Sequence, residues 1–210
     1  MKNRLLAVYK KLYAYFGPQH WWPGETPFEV MLGAILTQNT NWANVEKAIA
    51  NLRRRGLLAP DKVRRLSRRS LAALIRPAGY YNLKSVRLKA LVDFFFKHYG
   101  GSVRRMSAEP AAGLREKLLS VNGIGPETAD SILLYAMDKS VFVIDAYTRR
   151  ILLRHNFIPE SAGYDQIQKL FMSNLRHDAP LFNEYHALLV RLGKDFCHKN
   201  KPRCASCPLN

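Results

Sequence analysis

The chain has few acidic residues and no long apolar run. Its 210 residues include 16 Asp and Glu against 33 Lys and Arg, so the formal net charge at neutral pH is +17 and the pI is about 10.1. No segment approaches the roughly 20 apolar residues of a membrane-spanning helix. A positive excess this large indicates a polyanionic partner and makes a membrane surface the weaker alternative.

The N-terminal segment 1–16 has a basic amphipathic pattern without the continuous apolar centre of a secretory signal. We therefore expect a soluble, intracellular protein of the cytoplasm or nucleoid. An amphipathic organellar presequence is the alternative interpretation of this segment.

Strand patterns are nearly absent as well. Almost every apolar segment repeats with the spacing of a helix rather than the alternation of a strand. Apolar residues form 48% of the chain, which is enough for the core of one compact fold or of two small lobes. The predicted fold class is therefore all-α. Helices are expected in these segments: one that stops at Gly17, then 27–36, 42–54, 60–66, 70–75, 83–99, 114–121, 126–137, 146–154, 164–175 and 181–192.

Two of these helix starts have specific capping signals. The run Thr26-Pro27-Phe28-Glu29 has the pattern of a capping box with proline in the first turn. Asn41 is of a residue type that accepts hydrogen bonds from the free N–H groups of a first turn.

Two closely spaced glycines, Gly123 and Gly125, lie between two predicted helices near the middle of the chain. Glycines at this spacing let backbone N–H groups approach a ligand that side chains would obstruct. Pro126 favours a helix start at that point, and the N–H groups of a helix start bind anions. The sequence therefore predicts a phosphate-binding turn, and the alternative is a plain turn that ends a helix. An apolar run follows at 141–144 and ends on Asp145.

The segment 118–129, LLSVNGIGPETA, resembles the helix-hairpin-helix motif of the DNA glycosylase superfamily that includes endonuclease III. That motif runs Leu-Pro-Gly-Val-Gly-x-x-Thr-Ala, with a Val-Asp pair downstream. Here Asn122 replaces the proline, and Asp145 follows Glu127 by 18 residues.

The resemblance also includes a cysteine pattern at the C-terminus and so covers nearly the whole chain. It implies a two-lobed fold, in which a six-helix barrel and a lobe built from both termini border the substrate groove. Mapped onto this chain, the barrel is 27–139, and the second lobe is 1–26 with 140–210, including a C-terminal iron–sulfur loop. The implied partner is double-stranded DNA with damaged bases, bound by a monomer.

The same resemblance gives Asp145 the role of catalytic carboxylate. Cleavage of an N-glycosidic bond develops positive charge on the sugar, which a nearby carboxylate stabilises. The carboxylate can also orient or deprotonate the attacking water. The alternative is that Asp145 only caps the helix predicted at 146–154.

Glu127 occupies the position where family members that also cut the DNA strand carry a lysine. That lysine forms a Schiff base with the sugar, which a carboxylate cannot do. The sequence therefore predicts a monofunctional glycosylase that leaves an abasic site. The alternative for Glu127 is an acid favoured by the helix dipole, and the spacing of Lys84 and Lys139 does not indicate that either replaces the lysine.

Tryptophans are concentrated near the expected groove. Aromatic faces stack on a base flipped out of the duplex, and electron-rich rings favour the positive charge of an alkylated purine. Core packing is the alternative for each of them. The candidate base-pocket residues are Trp21, Trp22, Pro23 and Trp42.

Three segments resemble the branch of the superfamily that removes 3-methyladenine: the Trp-Trp-Pro run, the Thr-Gln-Asn-Thr turn at 37–40, and the run RPAGYYN at 76–82. The resemblance implies an alkylated purine as substrate, with Gln38 or Asn39 filling the hole that the flipped base leaves. A polar loop is the alternative for these two residues. The alternative substrates are uracil or thymine opposite guanine, or, for a bifunctional endonuclease III-type lyase, oxidised pyrimidines.

All three cysteines lie in the last 14 residues: Cys197, Cys204 and Cys207. An odd number in an intracellular chain argues against disulfides, and three clustered thiolates indicate metal ligands. The family holds a [4Fe–4S] cluster with Cys-x6-Cys-x2-Cys-x5-Cys, whose fourth cysteine would fall at position 213, beyond Asn210. Either the sequence is truncated, or another ligand completes the cluster, or the cluster is absent. The alternatives are a zinc site with His198 or His186, or free thiols.

DNA backbone contacts are expected from the glycine turn and from two arginines that follow the aspartate. These candidates are Gly123, Gly125, Glu127 through its amide, Arg149 and Arg150. The non-enzymatic alternative is a DNA-binding module, in which Asp145 is only a helix cap. An electron-transfer protein is a weaker alternative, because the ligand set is incomplete and the charge is strongly basic.

Overall fold

A computed structural model describes all 210 residues, and its regular structure is entirely helical, which confirms the predicted fold class. No helix is both long enough and apolar enough to cross a membrane. The α-helices are α1 Lys2–Phe16, α2 Pro27–Leu36, α3 Trp42–Arg54, α4 Pro60–Arg65, α5 Arg68–Leu74, α6 Tyr81–Tyr99, α7 Val103–Ala108, α8 Ala111–Leu119, α9 Pro126–Ser131, α10 Ala146–Arg154, α11 Tyr164–Met172 and α12 Ala179–Asp195.

The chain forms two compact units. We call Met1–Trp22 with Ser140–Asn210 the terminal unit, and Pro23–Lys139 the central unit. The division therefore falls after Trp22, whereas the sequence placed it after residue 26.

Local capping signals begin the helices where the sequence predicted. The Thr26 hydroxyl accepts a hydrogen bond from the Glu29 amide at 3.2 Å, and the Asn41 side chain accepts one from the Asn44 amide at 3.0 Å. The Glu29 carboxylate accepts from Arg53 at 2.8 Å instead of completing a capping box. The ion pair of Glu29 with Arg53 thus replaces the hydrogen bond that a capping box would form between the Glu29 side chain and the Thr26 amide.

The structure contains elements that the sequence did not predict. Helix α7 is one of them, and its start is capped by Ser102. The helix expected over 126–137 ends at Ser131 and continues as a π-helical turn, Ile132–Ala136. Two short 3₁₀ turns, Arg76–Ala78 and Cys204–Ser206, complete the list.

The core of the central unit is built around α2. Every residue from Phe28 to Leu36 is buried. The Phe28 ring stacks on Phe95 of α6 with centroids 6.2 Å apart. Burial on all sides fixes α2, and with it the turn that follows Leu36 and carries Gln38 and Asn39.

The core of the terminal unit lies between the apolar run 141–144 and α12. The Phe142 ring stacks on Phe171 with centroids 3.7 Å apart, and Tyr185 packs edge-on against both rings. The Tyr185 hydroxyl donates a hydrogen bond to the Leu5 carbonyl at 2.9 Å, which joins α12 to α1. This packing holds the segment that ends on Asp145.

A buried lysine closes the C-terminal end of α2. Lys84 of α6 is 1% exposed, and its ammonium donates hydrogen bonds to the carbonyls of Leu36 and Ala78, both at 2.8 Å. Burial, with a smaller contribution from Arg87, lowers the pKa of Lys84 from 10.5 to about 8.

This lowered pKa makes stability depend on alkaline pH. Between about pH 8 and 10.5 the unfolded chain keeps a proton on Lys84 that the folded chain has lost, so the free energy of unfolding should rise with pH in that window. Relative to Lys84→Met, which has no proton to lose, the expected gain is about 3 kcal/mol. Denaturant unfolding of both proteins from pH 7 to 10.5 measures it. A difference in the free energy of unfolding between the two proteins that stays constant with pH would contradict the lowered pKa of Lys84.

Candidate active site

Asp145 lies at the N-terminal end of α10, immediately after the buried apolar run. One carboxylate oxygen, Oδ1, accepts a hydrogen bond from the Thr148 amide at 2.7 Å, so the residue is the N-cap of α10. The side chain is 12% exposed. One oxygen is thus fixed by the helix start, and the second is left for other contacts.

The second oxygen faces a buried histidine. Asp145 Oδ2 lies 3.8 Å from Nε2 of His186, which belongs to α12 and is itself 6% exposed. Burial alone would raise the pKa of Asp145, but the contacts with His186 and Thr148 outweigh it and hold the pKa below its ordinary value. The group is therefore a carboxylate anion at neutral pH.

Sequence reasoning did not predict the pairing of Asp145 with His186. The two residues are 41 positions apart, and His186 was considered only as a zinc ligand. Its position on the buried face of α12 is the sole signal in the sequence, and this signal is equally typical of a core histidine.

The arginines of α10 contact the rest of the terminal unit. Arg149 donates to the carbonyls of Glu160 and Ala162. Arg150 donates to the Cys197 carbonyl at 2.7 Å, and its guanidinium lies over the Tyr147 ring. The two arginines expected to contact DNA are thus engaged in fixing α10 within its own unit.

Arg154, one turn further along α10, binds the cysteine tail and was not identified from the sequence. Its guanidinium donates to Cys197 Sγ at 3.2 Å, to the His198 carbonyl at 2.7 Å and to the Lys199 carbonyl at 3.0 Å. The helix that begins at Asp145 is therefore anchored to the tail at its other end.

In the central unit, the glycine turn has a backbone conformation that requires glycine at position 123. Gly123 has a φ of 84°, which side chains other than glycine rarely adopt. A Cβ there would also lie 2.3 Å from Cγ of Arg87, which crosses the turn. The amides of Gly123 and Gly125 have no backbone acceptor in the chain. Anion binding by these two N–H groups stays a prediction.

The two candidates for filling the duplex differ in environment. The Gln38 amide nitrogen donates to the Gly123 carbonyl and to the Thr128 hydroxyl, both at 3.0 Å, and its oxygen accepts from Arg87 at 2.5 Å. Asn39, the next residue, is exposed and has a φ of 53°. Gln38 is therefore part of the hairpin, whereas Asn39 projects its side chain from the turn.

The tryptophans do not belong to either core. Trp21 and Trp22 are both partly exposed in the terminal unit, with ring centroids 5.5 Å apart, and the Lys194 ammonium lies 5.6 Å from the Trp21 centroid. In the central unit, Trp42 is the first residue of α3, and its indole N–H donates to the Glu46 carboxylate at 2.7 Å. Each of the three tryptophans is therefore partly exposed.

The position of the family's lysine is on the first turn of α9. Glu127, the second residue of α9, is exposed. Lys84 is buried against two carbonyls, as described above, and the Lys139 ammonium donates to the Ser107 carbonyl at 2.7 Å. Both lysines that were weighed as substitutes are thus held by backbone groups.

The cysteine tail borders a cavity of about 280 Å³ in the terminal unit. All three thiols line it, together with the guanidinium-bearing residues Arg154 and Arg203. Thiols are the ligands that an iron–sulfur cluster takes, and this chain offers three where four are usual. The positive charge of the two arginines would stabilise the thiolate form. No three His, Cys, Asp or Glu side chains lie close enough to hold one metal ion, and His186 faces Asp145. The three thiols are therefore not gathered around the position of a single metal ion in this structure.

The chain matches known proteins over most of its length. Residues 32–177 match the family described as HhH-GPD superfamily base excision DNA repair protein. Over 206 residues the chain is 49% identical to a protein of Methanocaldococcus jannaschii that is provisionally named a DNA repair glycosylase, covering 98% of this chain and 93% of that protein.

Two solved structures have a similar fold. The H. pylori 3-methyladenine DNA glycosylase bound to 1,N6-ethenoadenine is 30% identical, with a TM-score of 0.79 over 90% of this chain and 97% of that one. A trapped endonuclease III–DNA covalent intermediate, at 21% identity, has a TM-score of 0.85 over 100% of this chain and 93% of that one, which shows the fold alone. The chain belongs to the HhH-GPD superfamily of base excision DNA repair proteins, a family of DNA glycosylases.

Proposed function

We propose that the protein is a monofunctional DNA glycosylase that removes alkylated purines of the 3-methyladenine type and leaves an abasic site. The observation that carries this proposal is the state of Asp145. One of its oxygens is fixed by the start of α10, and the group is an anion despite its burial. An oriented anion of this kind stabilises the positive charge that develops on a deoxyribose as its base departs.

The reaction needs one carboxylate and one water. The bond between C1′ and the base nitrogen breaks, and its electron pair leaves with the base, which departs neutral when it begins as a methylated cation. The water oxygen then bonds to C1′, and its proton passes to Asp145 and on to solvent. The products are the free base, an abasic deoxyribose and a proton.

The DNA backbone contact is assigned to the hairpin amides. Gly123 and Gly125 offer N–H groups to a phosphate, and the Glu127 amide follows on the first turn of α9. Since Arg149 and Arg150 are engaged within the terminal unit, they are left out of this contact set. Asn39 is assigned to the hole in the duplex, because the Gln38 amide is already saturated by the hairpin and Arg87.

The base preference is assigned to the tryptophans. Indole rings that stay outside the cores are available to stack on a flipped base, and their electron density favours a cationic alkylated purine over a neutral pyrimidine. The likeness to the 3-methyladenine glycosylase of H. pylori, at 30% identity, supports the same substrate class. We assign the stacking role to Trp22 of the terminal unit and to Trp42 of the central unit.

The three cysteines are assigned to a [4Fe–4S] cluster held at three corners by thiolates of this chain. Bound in the cavity, the cluster would cross-link the tail and would have no part in breaking the glycosidic bond. The contact of Arg154 with both Cys197 and the following loop then connects a folded tail to α10.

A panel of duplexes tests substrate and chemistry together. The duplexes carry methylated purines, uracil, thymine opposite guanine, or an oxidised pyrimidine, and strand breaks are scored with and without hot alkali. We expect release of methylated purines, with breaks only after alkali, because Glu127 cannot form a Schiff base. Breaks without alkali would contradict the monofunctional assignment, and excision confined to pyrimidines would contradict the substrate class.

A further inference from the structure

A net charge equal to nearly half of the chain's total lies in one short segment of the central unit. Residues 53–76 contain nine Lys and Arg and a single acid, Asp61, so their net charge is +8 out of a total of +17. Helices α4 and α5 and the 3₁₀ turn that follows them carry most of these cations.

Most of these cations lack a carboxylate partner. Arg53 pairs with Glu25 and Glu29, and Arg65 lies 3.9 Å from Asp61. The remaining cations are exposed and form no ion pair in the chain: Arg54, Arg55, Lys62, Arg64, Arg68, Arg69 and Arg76. So much unneutralised charge in one short segment is repulsive unless an anion binds nearby.

A groove of about 800 Å³ is set into this basic surface. Arg68, Arg69 and Arg76 line it, together with Tyr81 and Asn82 from the first turn of α6. The Arg76 guanidinium lies 5.8 Å from the Tyr81 ring centroid. Guanidinium groups bind phosphate oxygens bidentately, and an aromatic ring beside them offers a face to a sugar or base. We call these five residues the arginine groove.

Helix α6 connects the arginine groove to the hairpin. Asn82 lines the groove, and Arg87, five residues further along α6, crosses Gly123 of the hairpin. Five residues of helix rise by about 7.5 Å. Since duplex DNA carries one negative charge per roughly 1.7 Å of its axis, several phosphates fall within that distance.

We propose that the arginine groove is a second DNA-binding site, which holds the phosphate backbone of the duplex beyond the segment bound by the hairpin. This proposal rests on the proposed function, because the ligand of the groove is the same DNA molecule that the glycosylase acts on. The site contributes non-specific affinity and a longer footprint, and it contacts no damaged base.

The salt dependence of binding to undamaged duplex tests this site. In Arg68→Gln/Arg69→Gln/Arg76→Gln, three phosphate contacts are lost. The slope of log K against log salt should become less steep by about 2 to 3, with an affinity loss of about tenfold at low salt. The control Lys2→Gln/Lys10→Gln/Lys11→Gln removes the same charge from exposed positions of α1, and its slope should change by less than about 1.

Several outcomes would overturn the proposal. Equal slopes in the two triple variants would mean that DNA binding depends on the net charge of the protein and not on the arginine groove. A loss confined to single-stranded oligonucleotides would assign the groove to a different nucleic acid. Because Arg68 and Arg69 are exposed and form no ion pair, the double variant Arg68→Gln/Arg69→Gln provides the same test should the triple variant fold poorly. The slope is measured by binding to undamaged duplex, without excision. An unchanged slope would therefore reject the arginine groove, whereas an absence of glycosylase activity in the wild type would reject the proposed function.

Discussion

Asp145→Asn should lower the single-turnover rate of base excision by at least about 10³-fold. The amide removes the negative charge that stabilises the sugar cation and cannot take a proton from the attacking water. Asparagine caps a helix as well as aspartate does, so α10 should still begin at the same residue. Affinity for DNA should be retained or improved, since a negative charge near the phosphates has been removed.

A second N-cap in the same unit provides the matched control. Asp178 caps α12 by accepting a hydrogen bond from the Leu181 amide at 2.9 Å. Asp178→Asn makes the same chemical change at an equivalent structural position, and we expect an excision rate within about twofold of wild type. If the two variants excise equally well, Asp145 is a helix cap and has no part in the chemistry. A wild-type protein that binds DNA but excises no base would instead be a DNA-binding module.

Gly193→Ala should lower the excision rate by the second largest factor, because it displaces α10. A Cβ on Gly193 would lie 2.3 Å from Cδ1 of Tyr147 and 2.7 Å from its Cβ. Ring rotation relieves the first overlap, but the second requires the backbone of α10 to move. Tyr147 follows Asp145 by two residues, so the carboxylate moves with it.

A displacement of about 1 Å at a catalytic group can cost about 10²-fold in rate. We expect Gly193→Ala to reduce excision by 10- to 100-fold and to lower the free energy of unfolding by about 1 to 3 kcal/mol, a typical cost of overpacking. Single-turnover kinetics and denaturant unfolding measure the two effects. Gly163→Ala, at a glycine of the same unit with nothing within 4 Å of its Cβ position, should leave the excision rate unchanged. Because Gly163 is the N-cap of α11, this control should lower the free energy of unfolding by no more than about 1 kcal/mol. A Gly193 variant with wild-type kinetics would show that α10 is not held rigidly by this contact.

The features that the sequence predicted correctly depend on local chemistry. The helix starts at Thr26 and Asn41 follow from a side chain that reaches an amide three residues away. The N-cap at Asp145 follows in the same way from an aspartate placed after an apolar run. Turn geometry at Gly123 is equally local, because a φ of 84° is needed whatever packs around it.

The features that the sequence did not predict depend on contacts between distant residues. Gln38 was considered for the duplex, yet its amide contacts a carbonyl 85 positions away. The tie between Arg150 and the cysteine tail spans 47 positions. Nothing in the residue types near Gln38 or Arg150 indicates these partners, since glutamine and arginine are equally typical of exposed surfaces. Such roles become visible only when the packing of the helices is known.

In the proposed reaction, the Asp145 carboxylate stabilises the positive charge that develops at the anomeric carbon of the deoxyribose as the base departs. The most direct test of this role compares two abasic-site mimics in otherwise identical duplexes: a cationic pyrrolidine and a neutral tetrahydrofuran. Wild-type protein should bind the cationic duplex at least about tenfold more tightly, and Asp145→Asn should lose that preference while binding the neutral duplex normally. An equal preference for the cation in both proteins would contradict the role assigned to Asp145.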